Sequence, residues 1–542
     1  MSHTHQHPQD PPPPSAAAAG GSFAPLRQPV FALIWVATVL GNTGTFMRDV
    51  ASAWLVTDLS TSPTAVALVQ AAGTLPIFLL AIPAGVLSDI LDRRRLLIAI
   101  QVMLACVSVT LMLLAHGGNL DVASLVALTF LGGVGAALAG PTWQAIVPEL
   151  VARADIKNAV ALNSLGFNIA RAIGPAVGGV LLAAFGAAIT YGADVASYVL
   201  VIAALLIWRR KANADDELQE QFTGAFRAGL RYARASKSLH VVLLRAAVFF
   251  LFASTAWALL PLVARILLQG DAGFYGILLG SVGAGAILGA LVLPRLRKRL
   301  SADGLMLLAS VVTAAVMTVL SLAPPQWLAV AVLLLLGASW ITALTTLNGT
   351  MQAVLPNWVR GRGLAIYLTV FNGALTGGSL IWGAVAELIG IQQTLLAGAA
   401  GLVLVAAIAR LVRLPAGEAD LAPSNHWPEP LLAAPVAHDR GPVMITIAYH
   451  IRHDDRAGFL AALHRLAEER RRDGAYAWGV TEDAADPERV VEWFMVESWA
   501  EHLRQHRRVS KADADLQAEV LRFHSGAEPP RVEHLLALRR QP

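Results

Sequence analysis

Residues 63–95 read PTAVALVQAAGTLPIFLLAIPAGVLSDILDRRR. The 26 residues 63–88 carry no charged side chain, and the basic run Arg93, Arg94 and Arg95 follows shortly after them. An α-helix needs about 20 apolar residues to cross a hydrocarbon core of about 30 Å. Basic residues are enriched in the cytoplasmic loops that join such helices. The segment therefore predicts a membrane-spanning helix that ends at a cytoplasmic loop.

The same pattern recurs along most of the chain. Of its 542 residues, 56% are hydrophobic and only 14% are charged, which excludes an ordinary soluble protein of this length. The net charge of +4 is small, and the basic residues stand between apolar runs, which argues against nucleic-acid binding. We predict an all-α polytopic membrane protein with twelve transmembrane helices in two six-helix halves. The predicted spans are 30–55, 63–88, 96–115, 122–138, 159–185 and 187–208, then 241–267, 273–293, 305–322, 327–347, 364–389 and 394–412.

Lysine and arginine occur in every second predicted loop. This alternation satisfies the positive-inside rule when residues 1–26 form a disordered cytoplasmic tail. We therefore expect an inner-membrane protein with halves 27–209 and 241–413, both termini in the cytoplasm, and a cytoplasmic linker helix at 210–240. The basic loops carry Arg93, Arg94, Arg95, Arg153, Lys157, Arg295, Arg297, Lys298, Arg299, Arg360 and Arg362.

The composition changes after residue 413. Residues 414–441 contain several prolines and predict a linker, and residues 442–540 have the mixed composition of a soluble domain. Alternating apolar residues predict strands at 443–450, 475–481 and 490–498, and helical periodicity predicts helices at 455–473 and 500–524. This order predicts a small, cytoplasmic, ferredoxin-like α+β domain.

A recognisable motif lies where the second span meets its basic loop. Gly85 is followed four residues later by Asp89, and Arg93 and Arg94 complete the set. Two sixfold sets of spans with this loop resemble the major facilitator superfamily, in which the motif locks neighbouring helix ends in one access state. In this sequence Ile90 and Asp92 stand where an arginine and a glycine are usual. The alternative interpretation is that Arg93, Arg94 and Arg95 serve only to orient the helices in the membrane.

A second motif occupies the fifth span. Gly174, Pro175, Gly178 and Gly179 resemble the Gly-Pro motif of antiporters in that superfamily, which is commoner in exporters than in importers. The glycines permit close helix approach, and the proline removes a backbone donor and bends the helix. Ordinary packing of small residues is the alternative interpretation.

The finer likeness is to the transmembrane secretion effector group, which includes enterobactin-exporter-like and macrolide-efflux-like proteins. It covers nearly the whole membrane part and is specific for family but not for substrate. The residues that carry it are Asp49-Val50-Ala51, Gly140-Pro141-Thr142-Trp143-Gln144, Asn168-Ile169-Ala170-Arg171 and Pro356-Asn357-Trp358-Val359-Arg360-Gly361-Arg362.

Polar side chains inside spans are the candidates for transport, because they are costly toward lipid. Asn42, Thr45, Asp49 and Ser52 share one helix face, which we expect to line a central cavity. Arg171 lies about 20 Å into the fifth span. We hypothesise that Asp49 is the protonatable coupling residue and that Arg171 is its partner or a substrate anchor. An interfacial Asp49 and a purely structural Arg171 are the alternatives. Further candidates for the pocket are Gln144, Asn163, Asn168, Trp257, Trp340, Asn348, Gln352 and Asn372.

A further likeness is carried by Tyr449, Arg471, Asp473-Gly474-Ala475, Trp478 and Ser498-Trp499-Ala500-Glu501-His502. Through them, residues 442–538 resemble the dimeric α/β-barrel family of antibiotic-biosynthesis-monooxygenase-like domains. Such domains usually pair through their sheets, which implies a homodimer, and some of them catalyse cofactor-independent oxidation. His502 and His506 have the four-residue spacing of helical metal ligands, but no third ligand is evident. We therefore predict a solvated basic face shared with Arg504, Arg507 and Arg508, no metal and no cofactor.

The sequence predicts a secondary transporter and not an enzyme. Its expected activity is export of a small amphipathic compound, such as a siderophore, drug or secondary metabolite, by alternating access with proton antiport. The expected partners are this small-molecule substrate, protons and the lipid bilayer. The alternatives are a membrane-anchored cofactor-independent oxygenase and an importer of the same fold.

Overall fold

Long helices make up most of the computed structural model, which describes residues 23–208, 232–356, 359–409, 411–415, 424, 436–437 and 440–538. Within these ranges, eleven helices are long and apolar enough to cross a membrane. The predicted multi-pass membrane protein is confirmed. The helices are α1 (Pro29–Leu59), α2 (Pro63–Ile90), α3 (Arg93–His116), α4 (Val122–Ile146), α5 (Ile156–Ile207), α6 (Lys237–Leu262), α7 (Ala272–Arg297), α8 (Ala302–Ser321), α9 (Gln326–Ala353), α10 (Arg360–Ile389) and α11 (Ile391–Ile408).

Short polar residues fix where many of these helices begin. Each of them accepts a hydrogen bond from a backbone N–H in the first helical turn, which satisfies a donor that has no partner inside the helix. Asp121 and Ser124 at the start of α4 form a reciprocal capping box. The residues that cap in this way are Ser62, Asp92, Asp121, Ser236, Asp271 and Ser301.

One helix is too long to be a single span. The 52 residues of α5 would extend about 78 Å, more than twice the thickness of a hydrocarbon core. Gly186 interrupts it with a φ of 79°, a conformation that glycine adopts without strain. The arms on either side of Gly186 coincide with the predicted fifth and sixth spans. Twelve spans in two halves remain a prediction.

The helices pack as a first group, α1–α5, and a second group, α6–α11, which meet along two seams. One seam joins α2 to α10, and the other joins α5 to α7. Small residues allow the backbones to approach closely. A Cβ atom added to Gly179 would lie 2.6 Å from the Cα of Gly276, and one added to Gly383 would collide with Ala67.

Both seams are closed toward the same end of the molecule, here called the distal end, which consists of the turns at residues 60–62, 268–271 and 390. Thr74 and Thr376 share a hydrogen bond of 2.7 Å near the last contacts of the α2–α10 seam. Toward the opposite, basic end, a Cβ added to Gly85 or Gly361 would meet no atom within 4 Å. Neither of these two glycines therefore contacts a facing helix near the loops that carry the predicted cytoplasmic arginines.

The chain after residue 440 forms a small four-stranded antiparallel sheet with helices on one face. The strands have the order β2-β3-β1-β4, and the element order is β-α-β-β-α-α-β, which agrees with the predicted α+β arrangement. The elements are β1 (Val443–His450), α12 (Arg456–Asp473), β2 (Ala477–Glu482), β3 (Arg489–Val496), α13 (Trp499–Arg508), α14 (Lys511–Leu521) and β4 (Arg531–Leu536).

Two predictions for this domain are wrong. The single helix expected at 500–524 is two helices, because Ser510 leaves the helical path and starts α14 with a capping box to Asp513. The expected solvated basic face is not solvated throughout. His502 is 2% exposed and Arg508 7% exposed, and Arg508 is paired with Glu501 at 2.7 Å. The helix carrying these residues packs against the sheet, which removes them from water.

The structure also ties this domain to the membrane helices. Lys237, at the start of α6, forms an ion pair of 2.6 Å with Glu468 on α12. The Arg472 guanidinium lies over the ring of Tyr232, 5.6 Å from its centroid. The Tyr232 hydroxyl donates in turn to the backbone oxygen of Val354. Residues 1–22 of the predicted tail and 209–231 of the predicted linker lie outside the described residues.

Candidate functional site

Arg48, a buried residue on α1, forms the centre of a charged cluster within the first helix group. Its guanidinium lies 3.0 Å from a carboxylate oxygen of Asp49 and 3.9 Å from one of Asp194, which is on the second arm of α5. The side chain of Arg48 is 8% exposed, that of Asp194 is fully buried, and that of Asp49 is 53% exposed. The cluster therefore extends from an accessible carboxylate into the interior of the helix group.

Hydroxyl groups from neighbouring helices complete this cluster. Ser108 on α3 donates to Asp194 at 2.6 Å, and Arg48 donates to the Tyr198 hydroxyl at 3.0 Å. Gly132 on α4 leaves room for the guanidinium, which lies 3.4 Å from where its Cβ would stand. Four helices thus hold one cation against two carboxylates, an arrangement that offsets part of the cost of burying charge.

The sequence missed Arg48 and Asp194 as site residues. Both are ionisable residues within predicted spans, which is a signal of function in itself. Their 146-residue separation hides the contact, because only the packing of α1 against α5 brings them together.

The predicted partners Asp49 and Arg171 are not paired. Asp49 is paired with its neighbour Arg48, and Arg171 has no ion pair within the part of the chain that the structure describes. Arg171 is half-buried on the first arm of α5. The hypothesised Asp49–Arg171 contact is absent from this conformation.

The predicted polar stripe on α1 only partly faces a cavity. The Ser52 and Tyr191 hydroxyls share a hydrogen bond of 3.1 Å, and those of Thr45 and Tyr198 share one of 3.0 Å. Ser52 is 3% exposed, so the expectation that it faces the cavity is wrong. These hydroxyls point toward α5 because its tyrosines offer partners there. Asn42 is half-buried.

The basic residues of the gating motif connect helix ends. Arg93 is paired with Glu149 at 2.7 Å, just after α4, and Arg94 donates to the Leu205 and Leu206 carbonyls at the end of α5. A cation at these last carbonyls also complements the helix dipole. The side chain of Asp89 lies outside the described part of the chain.

The Gly-Pro motif lies where α5 packs between α1 and α7. A Cβ added to Gly174 would lie 2.6 Å from the Cβ of Phe46, and one added to Gly178 would lie 2.7 Å from the Cα of Met47. Gly179 makes the seam with α7, and Pro175 is buried beside it. The motif therefore joins the two helix groups by close backbone contact.

The remaining predicted pocket residues lie apart from the Arg48 cluster. Gln144 and Gln352 are exposed, and Gln352 donates to Asn348 at 3.0 Å one turn away on α9. The exposed Asn168 donates to the carbonyl of Ser164 on its own helix, at 2.8 Å. These four amides thus have local partners or face open space.

An aromatic cluster in the second helix group contains two of the predicted tryptophans. The rings of Trp257 and Trp340 meet edge to face with centroids 5.1 Å apart, and Phe250 and Phe371 extend the cluster. Both indole N–H groups and the Tyr367 hydroxyl are buried without a hydrogen-bond partner among the described residues. Buried donors of this kind are uncommon and call for a partner.

The distal end is closed by contacts between the helix groups. Arg265, just after α6, is paired with Asp58 of α1 and donates to Thr57 at 2.9 Å. Ser62 donates to Glu387 of α10 at 2.6 Å. These polar contacts join the two helix groups at the distal end. The sequence analysis did not identify them.

Ionisable side chains buried inside spans mark transport pathways. Fold and site together thus define the class, a multi-pass membrane transporter. The chain belongs to the transmembrane secretion effector family, whose model matches residues 20–542. The predicted family and the prediction of a transporter rather than an enzyme are confirmed. The likeness of the C-terminal domain to monooxygenase-like domains stays a prediction.

Curated relatives and solved structures agree with this class. The multidrug efflux pump Tap of Mycolicibacterium fortuitum is 27% identical over 68% of this chain and 92% of its own length. The staphyloferrin A transporter of Staphylococcus aureus is 24% identical over 65% of this chain and 88% of its own length. A bacterial homologue of the lysosomal transporter Spinster has the same fold, with a TM-score of 0.58 at 15% identity, over 72% of this chain and 97% of that one.

Proposed function

We propose that this transporter exports a small amphipathic organic compound, such as a siderophore, drug or secondary metabolite, in exchange for protons. The observation that carries the proposal is the sharing of Arg48 by two carboxylates. One cation and two ionised carboxylates leave one excess negative charge among membrane helices, where charge is costly. Binding of a single proton cancels that excess. The cluster can therefore exchange a proton as its surroundings change.

The position of Asp49 gives the proton a route. Its side chain is 53% exposed, whereas Asp194 has no exposure. Arg48 contacts both, so a change in charge at the accessible carboxylate alters the force on the buried one. We assign Asp49 the role of accessible proton acceptor and Asp194 that of the buried partner that orients Arg48.

Alternating access follows from the two seams. They are closed at the distal end, whereas a Cβ added to Gly85 or Gly361 at the basic end would meet no atom within 4 Å. On the positive-inside rule we assign the basic end and both termini to the cytoplasm, and the protein to the inner membrane. Substrate then enters from the cytoplasm. Gly174, Pro175, Gly178 and Gly179 act as the pivot, and the motif of Gly85, Asp89, Arg93 and Arg94 stabilises the opposite access state.

The aromatic cluster suits an amphipathic substrate. Trp257 and Phe371 are partly exposed and offer flat apolar surface, while two indole N–H groups await an acceptor. Binding sites for organic molecules combine apolar walls with a few well-placed polar groups. Arg171, Asn42, Gln144, Asn168, Asn348 and Gln352 supply further polar groups as substrate contacts. The printed functions of the relatives, drug efflux and staphyloferrin transport, support this class.

A homodimer through the C-terminal domain is also part of the proposal. Met444, Trp493, Met495 and Leu535 lie side by side on the sheet face opposite the helices, and Leu535 is 48% exposed. A second copy would cover this apolar surface. Single-molecule mass measurement in detergent should give a dimer that Trp493→Glu converts to a monomer, and a wild-type monomer would refute this part.

Transport is tested in inside-out vesicles with an imposed proton gradient and a panel of dyes, macrolides and siderophores. We expect gradient-dependent accumulation that Asp49→Asn and Asp194→Asn abolish. Asp121→Asn is the matched control, because asparagine keeps the cap of α4 and the site is remote from the cluster. Accumulation that survives both cluster variants would refute proton coupling there. Substrate release instead of uptake would establish import.

A further inference from the structure

Three histidines meet inside the C-terminal domain, although they are far apart in the sequence. His502 and His506 lie one turn apart on α13, and His534 lies on β4, a strand that the sequence analysis did not predict. One ring nitrogen from each lies within 4.8 Å of those of the other two. The Nε2 atoms of His502 and His506 are 3.2 Å apart.

The spacing of the first two histidines fits a tetrahedral metal ion. Zinc binds histidine nitrogen at about 2.0–2.1 Å, so two ligands of one tetrahedral ion stand about 3.3 Å apart. The His502–His506 pair already has this spacing. The ring centroid of His534 lies 4.7 Å from that of His502, and its ligand nitrogen lies within 4.8 Å of those of the other two histidines.

The surroundings favour a ligand rather than solvent. His502 is 2% exposed, and the Trp499 ring lies against both His502 and His534 at centroid distances of 5.3 and 6.0 Å. Gln505, one turn further along α13 than His502, is also fully buried.

We propose that His502, His506 and His534 bind one divalent first-row transition-metal ion, of which zinc is the expected one. Imidazole ligands suit zinc, copper and nickel, and three of them leave a fourth position for water. The ion joins the end of the domain, β4, to α13. It therefore stabilises the C-terminal sheet independently of the transport cycle.

The test uses the full-length chain in detergent, purified without a histidine tag. His3, His5 and His7 are first replaced by alanine, so that histidines of the N-terminal segment cannot contribute bound metal. The protein is loaded with Zn²⁺, freed of excess ion and assayed for metal by mass spectrometry. Replacement by Co²⁺ then reports geometry through its visible absorption. His464→Ala, a histidine on α12 outside the cluster, is the matched control.

We expect one ion per chain in this parent and in His464→Ala, tetrahedral Co²⁺ absorption, and loss of the ion in His534→Ala. His534→Cys should keep the ion and add a thiolate-to-cobalt band, which separates a lost ligand from a misfolded domain. An ion that His534→Ala retains would overturn the proposal, as would a parent that binds none. A His534→Cys protein that binds cobalt without the thiolate band would overturn it equally.

Discussion

Replacement of Arg48 by methionine tests which of its two ion pairs contributes more to stability. One is the buried pair with Asp194, and the other is the shorter but more exposed pair with Asp49. Methionine keeps much of the side-chain volume but leaves the fully buried Asp194 without its cation. Removing one partner of a buried ion pair costs about 3–5 kcal/mol. For charges 3.9 Å apart, as Arg48 and Asp194 are, Coulomb's law gives about 4 kcal/mol at an effective dielectric constant of about 20. The closer Asp49 pair, at 3.0 Å, gives about 1.4 kcal/mol in water-like surroundings.

The assay is a double-mutant cycle on the free energy of unfolding in mixed micelles. We expect Arg48→Met to lower that free energy by about 3–5 kcal/mol, and Asp194→Asn to remove most of this loss when combined with it. Asp49→Asn, combined with Arg48→Met, should recover only about 1 kcal/mol or less of that loss. Arg299→Met, at an exposed loop position, serves as control. A coupling energy with Asp49 equal to or larger than that with Asp194 would refute the reasoning.

Three further outcomes test other parts of the molecule. Gly179→Ala should lower the stability of the chain by about 1–3 kcal/mol, because its Cβ meets backbone across the seam. Gly85→Ala, where no atom lies within 4 Å, should instead raise stability by up to about 1 kcal/mol, because alanine favours the helix; equal effects on thermal unfolding would contradict the seam geometry. Arg265→Gln should accelerate hydrogen exchange over residues 55–64 by up to about fivefold, the worth of an exposed ion pair, and an unchanged rate would argue against distal closure by that pair. Burial raises the pKa of Glu469 from 4.5 to about 8. Its stabilising contribution is therefore fully present below pH 4.5 and disappears as the pH rises to about 8. Glu469→Gln should flatten the pH profile of thermal unfolding over this window, and an unchanged profile would contradict the shift.

The sequence predicted the membrane helices well because the bilayer imposes a length on them. The second predicted span, 63–88, and the observed α2 differ by only two residues at one end. Within the C-terminal domain, the strand predicted at 443–450 matches β1, since alternating burial follows from a sheet with one covered face.

The candidate site was only partly predictable, because contacts between distant segments leave no local pattern. Asp49 was identified from its position in a span, but its partner Arg48 was overlooked, and Asp194 becomes visible as a site residue only when α5 packs on α1. The strand β4 lacks clear alternation, so His534 could not be placed beside His502 from the sequence. Arg171 was identified from its depth in a span, but depth alone did not identify its partner.

The attachment of the C-terminal domain has a practical consequence for observing the working cycle. Lys237 and Tyr232 attach the domain to the second helix group, so a probe on the domain reports the orientation of that group from outside the bilayer. A fluorophore there, paired with one at the basic end of the first group, would register each rocking movement as a change in energy transfer. The appended domain thus gives single-molecule experiments a water-accessible handle on a motion that takes place within lipid.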